Sequence, residues 1–171
     1  MQFRTATHSD VPELNRLVNS AYRGDSSRAG WTTEADLLEG VRTNPENLLS
    51  DIENPDSRIE LLFDSNQVLQ GCVCLRKKPN GICYLGTLSV NPLLQGKGCG
   101  KLILDHSEKV AKEWNCNQIS MSVISRRHEL IAYYERRGYR LTGNTEPFPV
   151  EPELFQWKVE NLVLAELIKK L

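Results

Sequence analysis

The 171-residue sequence predicts one α/β (α+β) domain over residues 1–171, a mixed sheet of about six to seven strands flanked by about four helices. Three observations predict it. Apolar residues switch repeatedly between a spacing of two and a spacing of three to four, so strands and helices interleave along the chain. The segments Asp64-Ser65-Asn66-Gln67 and Pro79-Asn80-Gly81 separate apolar runs in the manner of hairpin turns, and Asn-Gly suits the positive dihedrals of a tight one. Between residues 88 and 102 a β-run passes into a helix through three alternate glycines. No repeat or composition break divides the chain.

Residues 2–7 read as a short strand. A helix follows, signalled by Ser9 or Asp10 with Pro12 and Glu13 in its first turn, and Val11, Leu14, Leu17, Val18 and Ala21 recur at helical spacing. The polar stretch 23–30 reads as a flexible connection. Thr33-Glu34-Ala35-Asp36 has the form of a capping box, which predicts a second helix with Leu37, Leu38 and Val41 inward, closed by Asn44-Pro45. A short helix over 46–52 comes next. Residues 59–63 and 68–75 are strands, and 82–90 is another, with Tyr84, Gly86, Leu88 and Val90 on one face. The helix after the glycines runs to about Asn115, with Ile103, Ser107, Val110, Ala111 and Trp114 inward and Asp105–Lys109 and Glu108–Lys112 as outward pairs. A strand alternating Ile119, Met121 and Val123, a helix over 127–137, a strand over 139–142, a Pro-rich loop and a last apolar run over 162–168 complete the order.

The glycine loop carries the most functional information. Glycines at 96, 98 and 100 leave main-chain N–H groups bare. Those amides open a helix, where about four donors lack intrahelical partners and the macrodipole is positive. Lys97 and Lys101 add charge, so a pyrophosphate is the natural occupant. Two other phosphate loops do not fit. A P-loop needs four residues between its first Gly and Gly-Lys, then Ser or Thr, whereas Gly96 and Gly100-Lys101 enclose three and Leu102 follows. The dinucleotide fingerprint would need its last Gly where Lys101 or Ile103 stands.

The loop Gln95-Gly96-Lys97-Gly98-Cys99-Gly100 resembles the Gln/Arg-x-x-Gly-x-Gly/Ala loop of the GNAT superfamily of acyl-CoA-dependent N-acetyltransferases. A second motif agrees: residues 125–139 look like that superfamily's later helix, which carries an inward Tyr and closes on Gly-Tyr, here Gly138-Tyr139. The two motifs cover about a third of the chain, and the element order extends the likeness over nearly all of it. The resemblance implies a sheet splayed between its fourth and fifth strands, 82–90 and the strand near 119–123. It implies acetyl-CoA as co-substrate, with pantetheine on the main chain of Leu88, Ser89 and Val90 and the pyrophosphate on residues 95–101. Tyr134 is the implied acid that protonates the departing thiolate. Arg127 stands where relatives often carry a cofactor-binding Asn; it could meet a coenzyme A phosphate or be a plain exposed helix-start Arg.

Relatives often place a Glu, Asp or His on the strand before the loop as base, and residues 82–90 contain none. A water chain held by Thr87, Ser89 or backbone carbonyls, or a loop carboxylate such as Glu34, is left for that role. Acceptor recognition is expected from the variable loops, through Trp31, Glu34 and Trp157; large apolar residues there could equally cap the core.

Composition excludes several classes. Lys plus Arg number 21 against 22 Asp plus Glu, a net charge of -1, so no basic field argues for nucleic acid or an anionic membrane. The five cysteines form no C-x-x-C and partly sit in apolar runs, which suggests reduced thiols in the cytoplasm. His8, His106 and His128 lack zinc spacing, so no metal is implied. No leader-like or membrane-length apolar run is expected. The expected activity is direct acetyl transfer to a primary amine of a small molecule. A protein or peptide acceptor, or a non-catalytic acyl-CoA sensor, is the alternative, and oligomeric state is not legible.

Overall fold

The computed structural model describes residues 1–171. Strand β1 (Gln2–Thr5) leads into α1 (Val11–Tyr22), the single turn α2 (Gly24–Ser27), β2 (Leu38–Gly40) and α3 (Pro45–Glu53). Then come β3 (Ser57–Phe63), β4 (Leu69–Lys78), β5 (Ile82–Val90), α4 (Cys99–Glu113), β6 (Gln118–Ile124) and α5 (His128–Glu135). Strands β7 (Arg140–Pro147), β8 (Phe155–Trp157) and β9 (Val163–Lys170) finish the chain. Seven strands form one mixed sheet in the order β1-β3-β4-β5-β6-β9-β7, and β2 pairs with β8 in a separate ribbon.

Strand periodicity sets the layers. Leu61 and Phe63 of β3 face one side with Cys72 and Cys74 of β4, and Leu14, Val18 and Leu48 of α1 and α3 cover them. Leu62, Val73 and Leu75 face the other side, under Ile103, Leu104 and Val110 of α4 and Ile131 of α5. The central strands are therefore apolar on both faces and read as near-continuous runs. The five residues expected to be inward on α1 are its five buried residues.

The sheet parts where the site forms. Strands β5 and β6 run parallel but pair only through Ile82–Gln118, Cys83–Ile119 and Tyr84–Ser120. Beyond that point β5 stays with β4 as far as Val90, and β6 stays with β9 as far as Ile124. A bulge accompanies the parting. Cys72 pairs with Ser89 and Cys74 with Gly86, so Val73 opposes both Thr87 and Leu88. Thr87 has φ of 50°, a strained value for a β-branched residue. The bulge also breaks the expected alternation of β5: Cys83 and Leu85 before it and Val90 after it enter the same core cluster, and Tyr84 and Gly86 do not.

Several expectations are corrected. Residues 33–41 form a turn and β2, with no second helix. Both halves of the supposed capping box are drawn elsewhere, since Thr33 Oγ1 meets Ser27 Oγ at 2.6 Å and Asp36 binds Arg28 at 2.7 Å, while Glu34 between them turns inward to two arginines. Leu38 packs with Ile124, Phe155 and Leu162 in a cluster that ties the ribbon to the sheet, and Val41 is exposed. Asn44 starts a helix and ends none: its side chain caps α3 through the Asn47 N–H, with Pro45 at the first turn. On α4 the outward pairs are Lys101–Asp105 and, to the sheet, Glu108–Lys169. Strand β7 runs to Pro147, further than residue 142, and is exposed throughout.

The buried thiols make stability fall with alkali. Burial pushes Cys72 and Cys83 up to about 12 and Cys74 to about 11, from an ordinary 9.0. The folded state keeps these protons while an unfolded chain loses them above about 9, so stability declines as pH rises between the two values. The urea midpoint is expected to drop steadily from about pH 8.5 to about 11; a flat midpoint across that range would contradict it.

Candidate active site

Two chambers meet at the parted strands. The larger has a volume of about 590 Å3 and is lined by the glycine loop, the C-terminal end of β5 and one side of α5. The smaller, about 80 Å3, lies between the splayed halves of β5 and β6. Tyr22, Leu88, Leu130 and Tyr134 line both.

The loop is bare where a ligand would approach. Gly96 and Gly98 have φ of 79° and 91°, values that L side chains rarely adopt, and a Cβ on either would meet nothing within 4 Å. Gly98 is the N-cap of the 15-residue helix α4, so the unpaired amides of the first turn open here. Gly100 and Lys101 complete this wall, with Lys101 Nζ held 2.7 Å from Asp105. The lining is thus shaped for a phosphate-bearing ligand: amides a side chain would cover, a helix N-terminus and the cations Lys101, Arg136 and Arg137. No His, Cys, Asp or Glu cluster that could hold a metal is present.

Other residues named from the sequence have varied placements. Leu88 and Val90 line the large chamber, whereas Ser89 and Cys99 are buried behind it and Lys97 is exposed. Gln95 lines the chamber, but its amide is a clamp. It accepts from the N–H groups of Trp31 and Thr32 at 2.8 and 3.1 Å and donates to Thr32 Oγ1 and the Val90 carbonyl at 2.7 and 3.2 Å. Trp31 thereby sits at the large chamber, with its ring 5.3 Å from that of Tyr133. Trp157 lines neither chamber and donates to the Pro149 carbonyl.

Glu34 and Arg127 come together at the small chamber. Glu34 Oε2 accepts from Arg23, and Glu34 Oε1 accepts from Arg127 Nη1 at 3.1 Å. Arg127 Nη2 donates to the Thr32 carbonyl at 2.7 Å, so its guanidinium is taken up by the 32–34 segment, and the residue lines the small chamber and not the large one. All three side chains are at least nine-tenths buried.

Tyr134 is buried at the junction. Burial, reinforced by the neighbouring Tyr22 and opposed by Arg127, raises its phenol far above the ordinary 10.0. It is a neutral donor at any physiological pH. Tyr22, which sequence reasoning missed, donates to the Leu88 carbonyl and so fixes the bulge. Its helical spacing marks it only as one more apolar position of α1. Tyr133 and Arg137 were also missed as lining residues; the guanidinium lies 3.5 Å from the ring centre, a contact their four-residue spacing along the chain allows.

A split sheet with a bare-amide chamber at the glycine loop and a second chamber at the splay is the architecture of an acyltransferase. The Acetyltransferase (GNAT) family model matches residues 16–139, and the chain belongs to that family. Among solved structures it is similar to a ribosomal-protein-alanine N-acetyltransferase from Brucella melitensis, with a TM-score of 0.73, 19% identity and 100% of both chains covered. It is also similar to an IAA acetyltransferase from Bacillus cereus, with a TM-score of 0.68, 13% identity and 99% of each chain covered. At such identities the likeness is one of fold. A 54-residue stretch is 32% identical to the uncharacterized protein YxbD of Bacillus subtilis, spanning 32% of this chain and about a third (34%) of that protein. No helix is long and apolar enough to cross a membrane.

Proposed function

We propose that this N-acetyltransferase takes its acetyl group from acetyl-CoA and passes it to the primary amine of a small molecule by direct attack in a ternary complex. The observation that carries the reading is the meeting of two chambers at Tyr134. Donor and acceptor can each occupy a chamber of its own, and neither must leave for the other to bind.

The residues divide the work. The amides of Gly96, Gly98, Cys99, Gly100 and Lys101 hold the pyrophosphate, Lys97 contributes its charge while its N–H stays on the Leu94 carbonyl, and Gln95 keeps the Trp31–Thr32 segment against the loop. The main chain of Leu88, Ser89 and Val90, freed from β6, aligns the pantetheine arm. When bound, acetyl-CoA supplies a thioester carbonyl open to attack. Tyr134 donates its proton to the departing sulfur, whose ordinary pKa near 8.5 lies below that of phenol, so orientation matters more than acidity. The bulge at Thr87 and Leu88, pinned by Tyr22, holds this stretch of main chain at the reacting centre. Glu34 has both oxygens engaged by guanidiniums, which leaves proton removal from the amine to water.

Direct transfer is supported further by the thiols. All five are buried, Cys99 among them, and none lines either chamber, so none offers itself as an acyl carrier. Free buried thiols also fit a reducing, cytoplasmic setting. Initial rates measured while both substrates are varied should give intersecting double-reciprocal lines, and calorimetry should register acetyl-CoA binding without acceptor. Parallel lines would mean a covalent relay; heat with coenzyme A but no turnover on any amine would remove the transfer reading.

A further inference from the structure

We propose that the acceptor is an amine bearing a carboxylate, an amino-acid-like anion, and that Arg42 and Arg127 at the small chamber select it. The proposal rests on the acetyl-transfer reading above and narrows its acceptor.

The charge balance of the chamber is the starting point. Its lining holds two guanidiniums, Arg42 and Arg127, against the single carboxylate of Glu34. That carboxylate is already engaged, one oxygen on Arg23 and the other on Arg127. It has little left to offer an incoming ammonium. Arg23 itself does not line the chamber, so the guanidinium donors left over there are those of Arg42. Arg42 makes no salt bridge and rests its guanidinium 5.7 Å from the centre of the Tyr22 ring. The other titratable groups lining the chamber are Tyr22 and Tyr134, both neutral. The carboxylates beyond its rim, Glu146 and Glu166, line a separate trough, and Glu166 is bonded to Thr142 and Asn144.

A polyamine would bring like charge into this setting, whereas a carboxylate would satisfy idle guanidinium donors through charge-assisted bonds. The same cations lower the pKa of a neighbouring ammonium, which favours the neutral amine needed for attack. That is consistent with a β5 strand carrying no base. Size agrees as well: about 80 Å3 is the share of two to three waters, enough for an amine and a carboxylate on a short spacer.

The test uses matched triplets: each of the twenty amino acids, its carboxamide and its decarboxylated amine, assayed for acetyl-CoA-dependent acetylation by the full chain. For the best acid, kcat/KM is expected to exceed that of its amide and its amine by about 10- to 100-fold, the usual contribution of a hydrogen bond to a charged group. Arg42→Gln should shrink the acid-to-amide ratio by about tenfold, mainly through a higher KM for the acid. Amides or amines accepted equally or better would overturn the proposal and leave the transferase reading standing. A peptide N-terminus behaves as the amide here, so turnover of peptides alone would overturn it in the same way. Coenzyme A binding without acetylation of any triplet member or peptide would remove the transferase reading, and the proposal with it.

Discussion

Tyr134→Phe is expected to lower kcat by about 100-fold or more, the scale of a lost general acid, while calorimetry shows acetyl-CoA binding unchanged. The substitution removes one oxygen from the junction of the two chambers and leaves the ring packed against Tyr133 and Tyr139, at centroid distances of 5.4 and 5.8 Å. A fold defect is therefore not expected, and thermal stability should stay near that of the parent. The pH profile adds a second check. Because burial holds the phenol above its ordinary 10.0, Tyr134 retains its proton and contributes no alkaline limb to kcat below that pH. Tyr133→Phe provides the control, since that ring lines only the larger chamber. Equal rates for the parent and Tyr134→Phe would end the assignment.

Glu34→Ala is expected to destabilise the fold by about 3–5 kcal/mol, because it strands two buried guanidiniums. Arg23 and Arg127 come from the end of α1 and the start of α5, and Glu34 is the carboxylate that bridges them. Removing both charges of one pair should cost less, so Arg23→Met with Glu34→Leu is expected to recover the part of the loss that comes from Arg23 and to leave the part that comes from Arg127. Urea unfolding of the single and double variants measures this. A loss under about 1 kcal/mol for Glu34→Ala, the range of exposed pairs, would show that the carboxylate does not hold the loop. The comparison also separates two roles for Glu34, since a structural anchor moves the unfolding midpoint and a general base moves the pH profile.

Much of the candidate site's lining was legible because backbone chemistry leaves a local imprint. Glycines at 96, 98 and 100 are needed where the main chain itself must be accessible, and their spacing at a strand-to-helix junction can be read without a structure. The inward Tyr of α5 and the apolar stripe of α1 were legible for the same reason: helical period is a local property. Glu34 was read wrongly as part of a helix start because a capping box is also local, and here distant partners won. Nothing near Thr33–Asp36 in sequence announces Arg127, which is 93 positions away from Glu34.

What the residues determined unaided was the order of most elements, the family likeness, the glycine loop and the inward phenol, since each depends on neighbours within a turn or a strand. Only the tertiary structure decided that Thr87 bulges, that Tyr22 holds the Leu88 carbonyl, that Gln95 clamps Thr32, and that two arginines grip one glutamate beside the smaller chamber. Those features depend on which side chains the folded sheet brings within hydrogen-bonding reach, and long-range proximity leaves no periodic trace in a chain.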